Sequence, residues 1–385
     1  MSQLVEHTLA DVLSHIVDNR GRSCPTVDAG FPLIATNCVK DDELYPVFEN
    51  VRYIDEETRH SWFRGHPQPG DLLFVCKGDP GRVALVPDPV TFCIAQDMLA
   101  LRASPEVVDP RYLYYVLKSR KVREKIVNLH VGTMIPHFKK GDFDKLKFLI
   151  HEDLHEQRAI AAVLGALDDK IASNTKLAVL LDAHMAHEYT AATMISGKTV
   201  QLVDVAVFHN RRRIPLSSRE RDDRPGNVPY YGASGVFGRV DEPIFNEPLV
   251  LVGEDGSVIK ADGTPVIQYI WGPSWVNNHA HVLTGAGIST ELLYHAIARE
   301  QVTTLVTGAV QPKINMGNLK RLELHIPVSD ALHAIEGIVG AETASKRSLV
   351  EENRTLAATR DVLLPALMSG KLRVNDAEKV LEGVL

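Results

Sequence analysis

The residues that could do chemistry on their own are few and badly spaced for it. Cys24, Cys38, Cys76 and Cys93 are separated by 13, 37 and 16 residues. Zinc fingers and ribbons need pairs about two to four residues apart. Buried structural thiols are therefore expected. Asn277-Asn278-His279-Ala280-His281 and His184-x-x-His187 have no third ligand at a telling distance. They read as ordinary hydrogen-bonding groups. Glu254-Asp255, ahead of Gly256, reads as a turn. The sequence holds no phosphate-cradling glycine loop, no zinc-protease helix motif and no nucleophile elbow. It also lacks the Asn-Pro-Pro-aromatic tetrapeptide of base methyltransferases. No catalytic residue, metal ligand or cofactor is expected in this chain.

Binding chemistry is better represented. Lys118, Arg120, Lys121, Arg123 and Lys125 fall within eight positions, and Lys139, Lys140, Lys145 and Lys147 follow. Further on, Arg211, Arg212, Arg213, Arg219, Arg221 and Arg224 fall within fourteen, ahead of Tyr230 and Tyr231. Clustered cations beside aromatic residues suit phosphate contact and base-edge readout. A basic run is also what a solvated helix face looks like, and Glu124, Asp222 and Asp223 partly neutralise two of these. The chain total of −7 opposes a nucleic-acid partner. Recognition, however, uses local patches rather than the sum.

These clusters sit in a chain that repeats itself. Gly132-Thr-Met-Ile-Pro136, with Gly141-Asp-Phe143-Asp-Lys145-Leu146 after it, returns 176 residues later as Gly308-Ala-Val-Gln-Pro312 and Gly317-Asn-Leu319-Lys-Arg321-Leu322. Each copy leads into a long helical stretch, and these end alike in Ile195-Ser-Gly-Lys198 and Met368-Ser-Gly-Lys371. Upstream, Asp71–Val75 pairs with Pro248–Val252, and Phe31-Pro32-Leu33 with Val228-Pro229-Tyr230. So long a period indicates two-fold duplication rather than a solenoid.

The first helix is expected from Asp153, with Glu156 completing a capping box. Ile160, Leu164, Leu167, Ile171, Ala178, Leu181 and Met185 form a heptad seam interrupted by Asn174. Asn174 either fixes the register or reaches water at the seam edge. About 43 residues would span roughly 65 Å. The second helix starts near Ser329; Ile335, Leu349, Leu356 and Leu363 share one heptad position, with Glu342 in the gap. Pro365 should bend or loosen its last turns. Such stripes need a partner, and the other copy is the nearest one. Single helices are expected at about 110–129 and 290–304, with short strands at 72–76, 92–95, 249–252 and 266–270.

The fold class is therefore α+β. Two duplicated mixed α/β blocks are separated by two long helices forming an antiparallel coiled coil. The expected boundaries are 1–150, 151–197, 198–327, 328–374 and a tail at 375–385. The longest apolar run, around Ala159 to Leu167, has nine residues, against the roughly 18 a membrane span needs. Glu6 and Asp11 lie where a signal peptide would be basic and then apolar. A soluble cytoplasmic protein is expected.

Ile150–Ile171, with its Glu156-Gln157 and Leu167-Asp168-x-Lys170-Ile171, together with Leu363–Val374 and Val228–Gly238, resembles the specificity subunit of type I restriction-modification systems. The resemblance covers essentially the whole chain and is strongest in the helices. It implies two target recognition domains, each reading half of a bipartite double-stranded DNA site. It also implies that the coiled coil sets the spacer. Two methyltransferase subunits holding S-adenosylmethionine, and translocating nuclease subunits using ATP and Mg2+, are the implied partners. The chain itself would do no chemistry. Candidate DNA contacts are Lys118, Arg120, Lys121, Lys139, Lys140, Arg211, Arg212, Arg213, Arg219, Tyr230, Tyr231, Ser234 and Lys313. Candidate docking or coiled-coil residues are Glu156, Gln157, Ile160, Leu164, Leu167, Ile171, Asn174, Leu181, Ile335, Leu349, Leu356 and Leu363. The second helix departs from the pattern, with Leu332-His333 where Glu156-Gln157 would align. That makes the two docking surfaces unequal. The alternative is a recognition or scaffold subunit of another DNA-modifying defence complex.

Overall fold

A computed structural model describes residues 3–21, 23–95, 97–129, 135–308 and 310–385. Its contacts divide the chain into two units, Met1–Thr175 with Val350–Leu385, and Lys176–Leu349. Each unit takes its own stretch of both long helices.

The first unit holds β1 (Leu4–Thr8), β2 (Leu13–Val17), β3 (Phe31–Ile34), β4 (Arg52–Ile54), β5 (Leu72–Val75), β6 (Val83–Leu85), β7 (Cys93–Ile94), β8 (Met98–Ala103) and β9 (Lys147–His151). The main sheet runs β2-β8-β5-β6, a smaller one β4-β3-β7, and β1 pairs with β9. The central strand β5 is buried on both faces and is apolar throughout, as a strand covered on both sides must be. Asp109 caps the helix Pro110–Lys118 by accepting from Tyr112 N, with Pro110 in the first turn. That helix lays Tyr112, Leu113, Tyr115 and Val116 into the core.

The second unit repeats the plan with β10 (Gly197–Gln201), β11 (Ala206–Phe208), β12 (Val228–Tyr231), β13 (Val236–Val240), β14 (Phe245–Asn246), β15 (Leu249–Gly253), β16 (Ile267–Ile270), β17 (Pro273–Val276), β18 (Ala280–Gly285) and β19 (Glu323–Pro327). Its sheets run β11-β18-β15-β16 and β13-β12-β17-β14, and β10 pairs with β19. The smaller sheets match in sense as well. β3 is antiparallel to β4 and parallel to β7, and β12 is antiparallel to β13 and parallel to β17. The pairs read from sequence, β5 with β15 and β3 with β12, occupy equivalent strands.

The first long helix is Leu154–Ser196, 43 residues, and the second is Ser329–Met368, which continues through Pro365. Asp153 accepts from His155 N at its start. Glu156 lies 4.0 Å from the His151 ring. In the first unit Ile160, Leu164 and Leu167 share one core with Leu356 and Leu363, and Ile171 packs on its edge. In the second unit Met185 joins Ile335, and Leu181 packs beside them. The helices are antiparallel within each unit, since Asp168 meets Arg360 and Asn174 meets Asn353 in the first, while Asp182 meets Lys346 and His184 meets Glu342 in the second. Leu349 is half-buried. Asn174 is 3% exposed and donates to Glu352 and Asn353 at 2.8 and 2.9 Å. It therefore faces the other helix rather than water, which is how a seam asparagine fixes register.

Three expectations change. The stretch 110–129 is two helices, Pro110–Lys118 and Arg120–Leu129, because Ser119 adopts an extended conformation between them. The stretch 290–304 is α-helical only over Thr290–Ala298, with a separate 3-10 turn at Thr303–Leu305. Gln157 is fully buried, so it presents nothing to a docking partner. Its amide accepts from Asp109 N at 2.9 Å and donates to Val107 O and His151 O. This ties the start of the long helix to the cap of Pro110–Lys118. Glu336, one turn beyond His333, does the same in the second unit by accepting from Ser289 N at 2.8 Å, Ser289 being the cap of Thr290–Ala298. Gln157→Ala should lower stability by about 2 kcal/mol, since it orphans buried backbone groups. Denaturant unfolding of the full chain checks this.

Candidate nucleic-acid interface

Each unit has an open cleft built by the same backbone bonds. In the first, Gly78 N donates to Pro136 O at 3.0 Å, Phe138 N to Cys76 O at 2.9 Å and Cys76 N to Asp97 O at 3.0 Å. In the second, Gly256 N donates to Pro312 O at 3.0 Å, Ile314 N to Glu254 O at 3.1 Å and Glu254 N to His279 O at 2.8 Å. Gly78 and Gly256 have φ of 90° and 84°, the left-handed region that glycine enters without strain. The repeated Pro136 and Pro312 thus dock the segment before β9 or β19 against the turn after β5 or β15. Gly132, Thr133, Met134 and Ala309 of the repeat lie outside the described residues.

The first cleft, about 630 Å³, is lined by Asp18, Arg20, Ser23, Arg64, Lys77, Asp97 and His137. Arg20 forks onto Asp18 at 2.8 and 2.7 Å, which holds that carboxyl below the usual carboxylate range. Arg64 donates to Arg20 O at 3.0 Å. Burial lowers the His137 pKa, and the positive charges of Arg20, Lys139 and Lys77 lower it further. Lys139 and Lys140 are exposed, and their fields reach His137 and Asp18 respectively. They therefore belong to this cationic rim.

The other basic run of the first unit is largely spent on the fold. Lys118 donates to Tyr114 Oη at 2.9 Å, and burial beside Arg360 holds its pKa below the usual lysine range. This expected DNA contact thus has a partner inside its own unit. Arg123 pairs with Asp41 and Asp79, Arg120 pairs with Glu124, and Lys125 donates to Lys147 O. Lys121 is exposed and has no hydrogen bond or ion pair among the described residues.

The second cleft, about 520 Å³, is lined among others by Ser217, Arg221, Tyr230, Ser234, Phe237, Asp255, Asn278, His279 and Gln311. Phe237 is 59% exposed. Arg213 is internal. It bonds Glu254 at 2.5 Å and Ala280 O at 2.7 Å, and Glu254 in turn lies 3.5 Å from the buried His281. Arg212 pairs with Glu247 at 2.6 Å and lies 4.2 Å over the Phe245 ring. Tyr230 is 2% exposed and holds Leu216 through its hydroxyl. These three expected DNA contacts have partners inside the unit, Arg212 in an exposed ion pair. Arg211 and Arg219 are exposed, with no side-chain partner among the described residues. Ser234 and Lys313 are exposed, and Tyr231 is half-buried.

Reading the sequence by clusters missed Arg20, Arg64, Lys77 and His137, which are scattered along the chain and gathered only by the fold. One signal was available. Asn19-Arg20 and Asn210-Arg211 follow the equivalent strands β2 and β11. Both asparagines brace a neighbouring loop or strand, Asn19 accepting from Arg64 N at 2.9 Å and Asn210 from Val282 N at 3.0 Å.

Among the described residues, no group of three His, Cys, Asp or Glu could hold a metal ion. Cys38, Cys76 and Cys93 are buried free thiols, and burial pushes Cys76 and Cys93 up to about 12. His184 pairs with Glu342 at 2.6 Å. Among the described residues no helix is long and apolar enough to cross a membrane. Burial lowers His295 to about 4. An unfolded imidazole takes its proton near 6.5, so the unfolded state binds more protons between about pH 6.5 and 4. Stability should therefore fall as pH drops through that window, and His295→Gln should flatten the fall in a pH series of unfolding curves.

The model of the type I restriction modification DNA specificity domain matches residues 29–181 and again 196–336. A putative type I restriction enzyme specificity subunit of Haemophilus influenzae is 30% identical over 155 residues, 39% of this chain and 39% of its own length. A putative type I specificity subunit of Mycoplasma genitalium is 28% identical over 202 residues, 48% of this chain and 51% of its own. The chain thus spans about half or less of the curated relatives it matches. The crystal structure of the type I restriction-modification system S subunit from M. genitalium shares the fold at TM-score 0.57 and 18% identity, over 95% of this chain and 96% of that one. With the family model matched once in each half of a duplicated chain, the protein belongs to the type I restriction modification DNA specificity domain family.

Proposed function

We propose that this chain is the DNA-recognition subunit of a type I restriction-modification complex. Each unit reads one half of a bipartite, asymmetric site, and the long helices carry methyltransferase subunits. The observation that supports this best is the same cleft, built by the same three backbone bonds, in both units. Two similar readers in one chain suit two half-sites on a linear polymer. Different side chains in the two clefts suit an asymmetric site. Exposed Lys139, Lys140, Arg211, Arg219 and Lys313 would take phosphates. With a chain total of −7, affinity is shared with partners rather than supplied alone. S-adenosylmethionine sits on the methyltransferase subunits, and ATP and Mg2+ on translocating nuclease subunits, in the cytoplasm.

Methylation profiling of the host genome, with and without the gene for this chain, tests the reading. An interrupted motif that vanishes on deletion is expected. A continuous motif, or methylation unchanged by deletion, would refute it.

A further inference from the structure

We infer that the first unit's cleft reads guanine and the second unit's reads adenine, so the two half-sites differ in base content. This rests on the bipartite reading above. The clefts share their backbone scaffold, and the difference lies in their side chains.

In the first cleft the free cationic groups are Lys77 and Arg64, and the half-buried Asp97 carboxylate that also lines it would accept from the N4 amino group of the cytosine paired with a guanine. Lys77 is exposed, and its ammonium has no hydrogen bond or ion pair among the described residues. Arg64 is exposed and uses only Nη1, on Asp18 O and Arg20 O, which leaves its Nε and Nη2 groups to donate. Arg20 is not available, because its fork is closed on Asp18. Guanine presents two acceptors, N7 and O6, in the major groove, and cationic donors pair with both. Adenine would set its N6 amino donor against them.

The second cleft differs in its free groups, which are amides rather than cations. Its one lining guanidinium, Arg221, donates to Leu216 O at 2.8 Å and lies 5.0 Å over the Tyr230 ring. Asn278 and Gln311 are exposed, with side-chain amides unbonded among the described residues. An amide offers one donor edge and one acceptor edge, which matches adenine N7 and N6 in a bidentate pair. Asp255, also lining this cleft, lies 3.7 Å from the His279 ring.

The test uses the full chain assembled with its methyltransferase subunits. Competing duplexes carry the site with each guanine or adenine replaced singly. Lys77→Ala and Arg64→Ala should abolish roughly five- to hundred-fold discrimination at guanine positions of one half. Asn278→Ala and Gln311→Ala should do so at adenine positions of the other. Unchanged discrimination in the untouched half shows that the variant is folded. If an alanine variant does not fold, Lys77→Gln and Asn278→Arg decide, by moving preference toward adenine and guanine respectively. Uniform weakening across all sequences with a shallower salt dependence, or relaxation at the wrong base, overturns the inference. If the unaltered complex shows no two-block site, the bipartite reading fails, and this inference with it. A two-block site whose bases ignore these substitutions sinks the inference alone.

Discussion

Replacing Arg360 with alanine is expected to lower the stability of the full chain by about 3–5 kcal/mol. Arg360 is 7% exposed and Asp168 is 3% exposed. Arg360 Nη1 meets Asp168 at 2.7 Å, and its Nε and Nη2 both bond Asp361. Among the described residues, the other hydrogen-bond partner of Asp168 is the Tyr115 hydroxyl, at 2.7 Å. Without the guanidinium, a desolvated carboxylate is left next to Tyr114 and Tyr115, with only the more distant charges of Lys118 and Arg111 to offset it. The pair need not be a net gain over a hydrophobic pair; the penalty comes from removing one partner. Arg360→Met combined with Asp168→Leu should therefore recover most of the loss. Denaturant unfolding followed by circular dichroism measures both. A single-variant loss below about 1 kcal/mol would show that the two long helices do not depend on this contact.

Replacing Lys139 and Lys140 together with alanine should weaken DNA binding without changing which sequence is preferred. Both side chains are exposed, with no hydrogen bond or ion pair of their own among the described residues. Each phosphate contact contributes about 0.9 to the slope of log affinity against log salt. The double variant should thus lower that slope by about two, read from binding isotherms at several salt concentrations. An unchanged slope would remove these lysines from the DNA face.

The architecture was largely legible in the sequence because duplication and heptad spacing are periodic signals. The repeated Pro136 and Pro312 marked equivalent docking segments, and Ile160, Leu164, Leu167, Leu356 and Leu363 do form one core. Asn174 left two readings open, and its burial decided between them. The binding face was less legible. Density of charge along the chain drew attention to Arg212, Arg213 and Lys118, yet each found an anion, a carbonyl or a hydroxyl within its own unit. Arg64 and Lys77 stand alone in sequence and gain their significance only where separate loops meet. The departure at Leu332-His333 had a similar cause. Glu336 supplies the capping bond one turn later, and fixed-offset alignment could not see a shift of one helical turn.

The most direct test is a nuclease footprint of this chain assembled with its methyltransferase subunits on DNA carrying the methylated site. Two protected blocks separated by an unread spacer are predicted, with Lys77→Ala altering one block and Asn278→Ala the other. A single continuous block, or protection that both substitutions change alike, would contradict one half-site per unit.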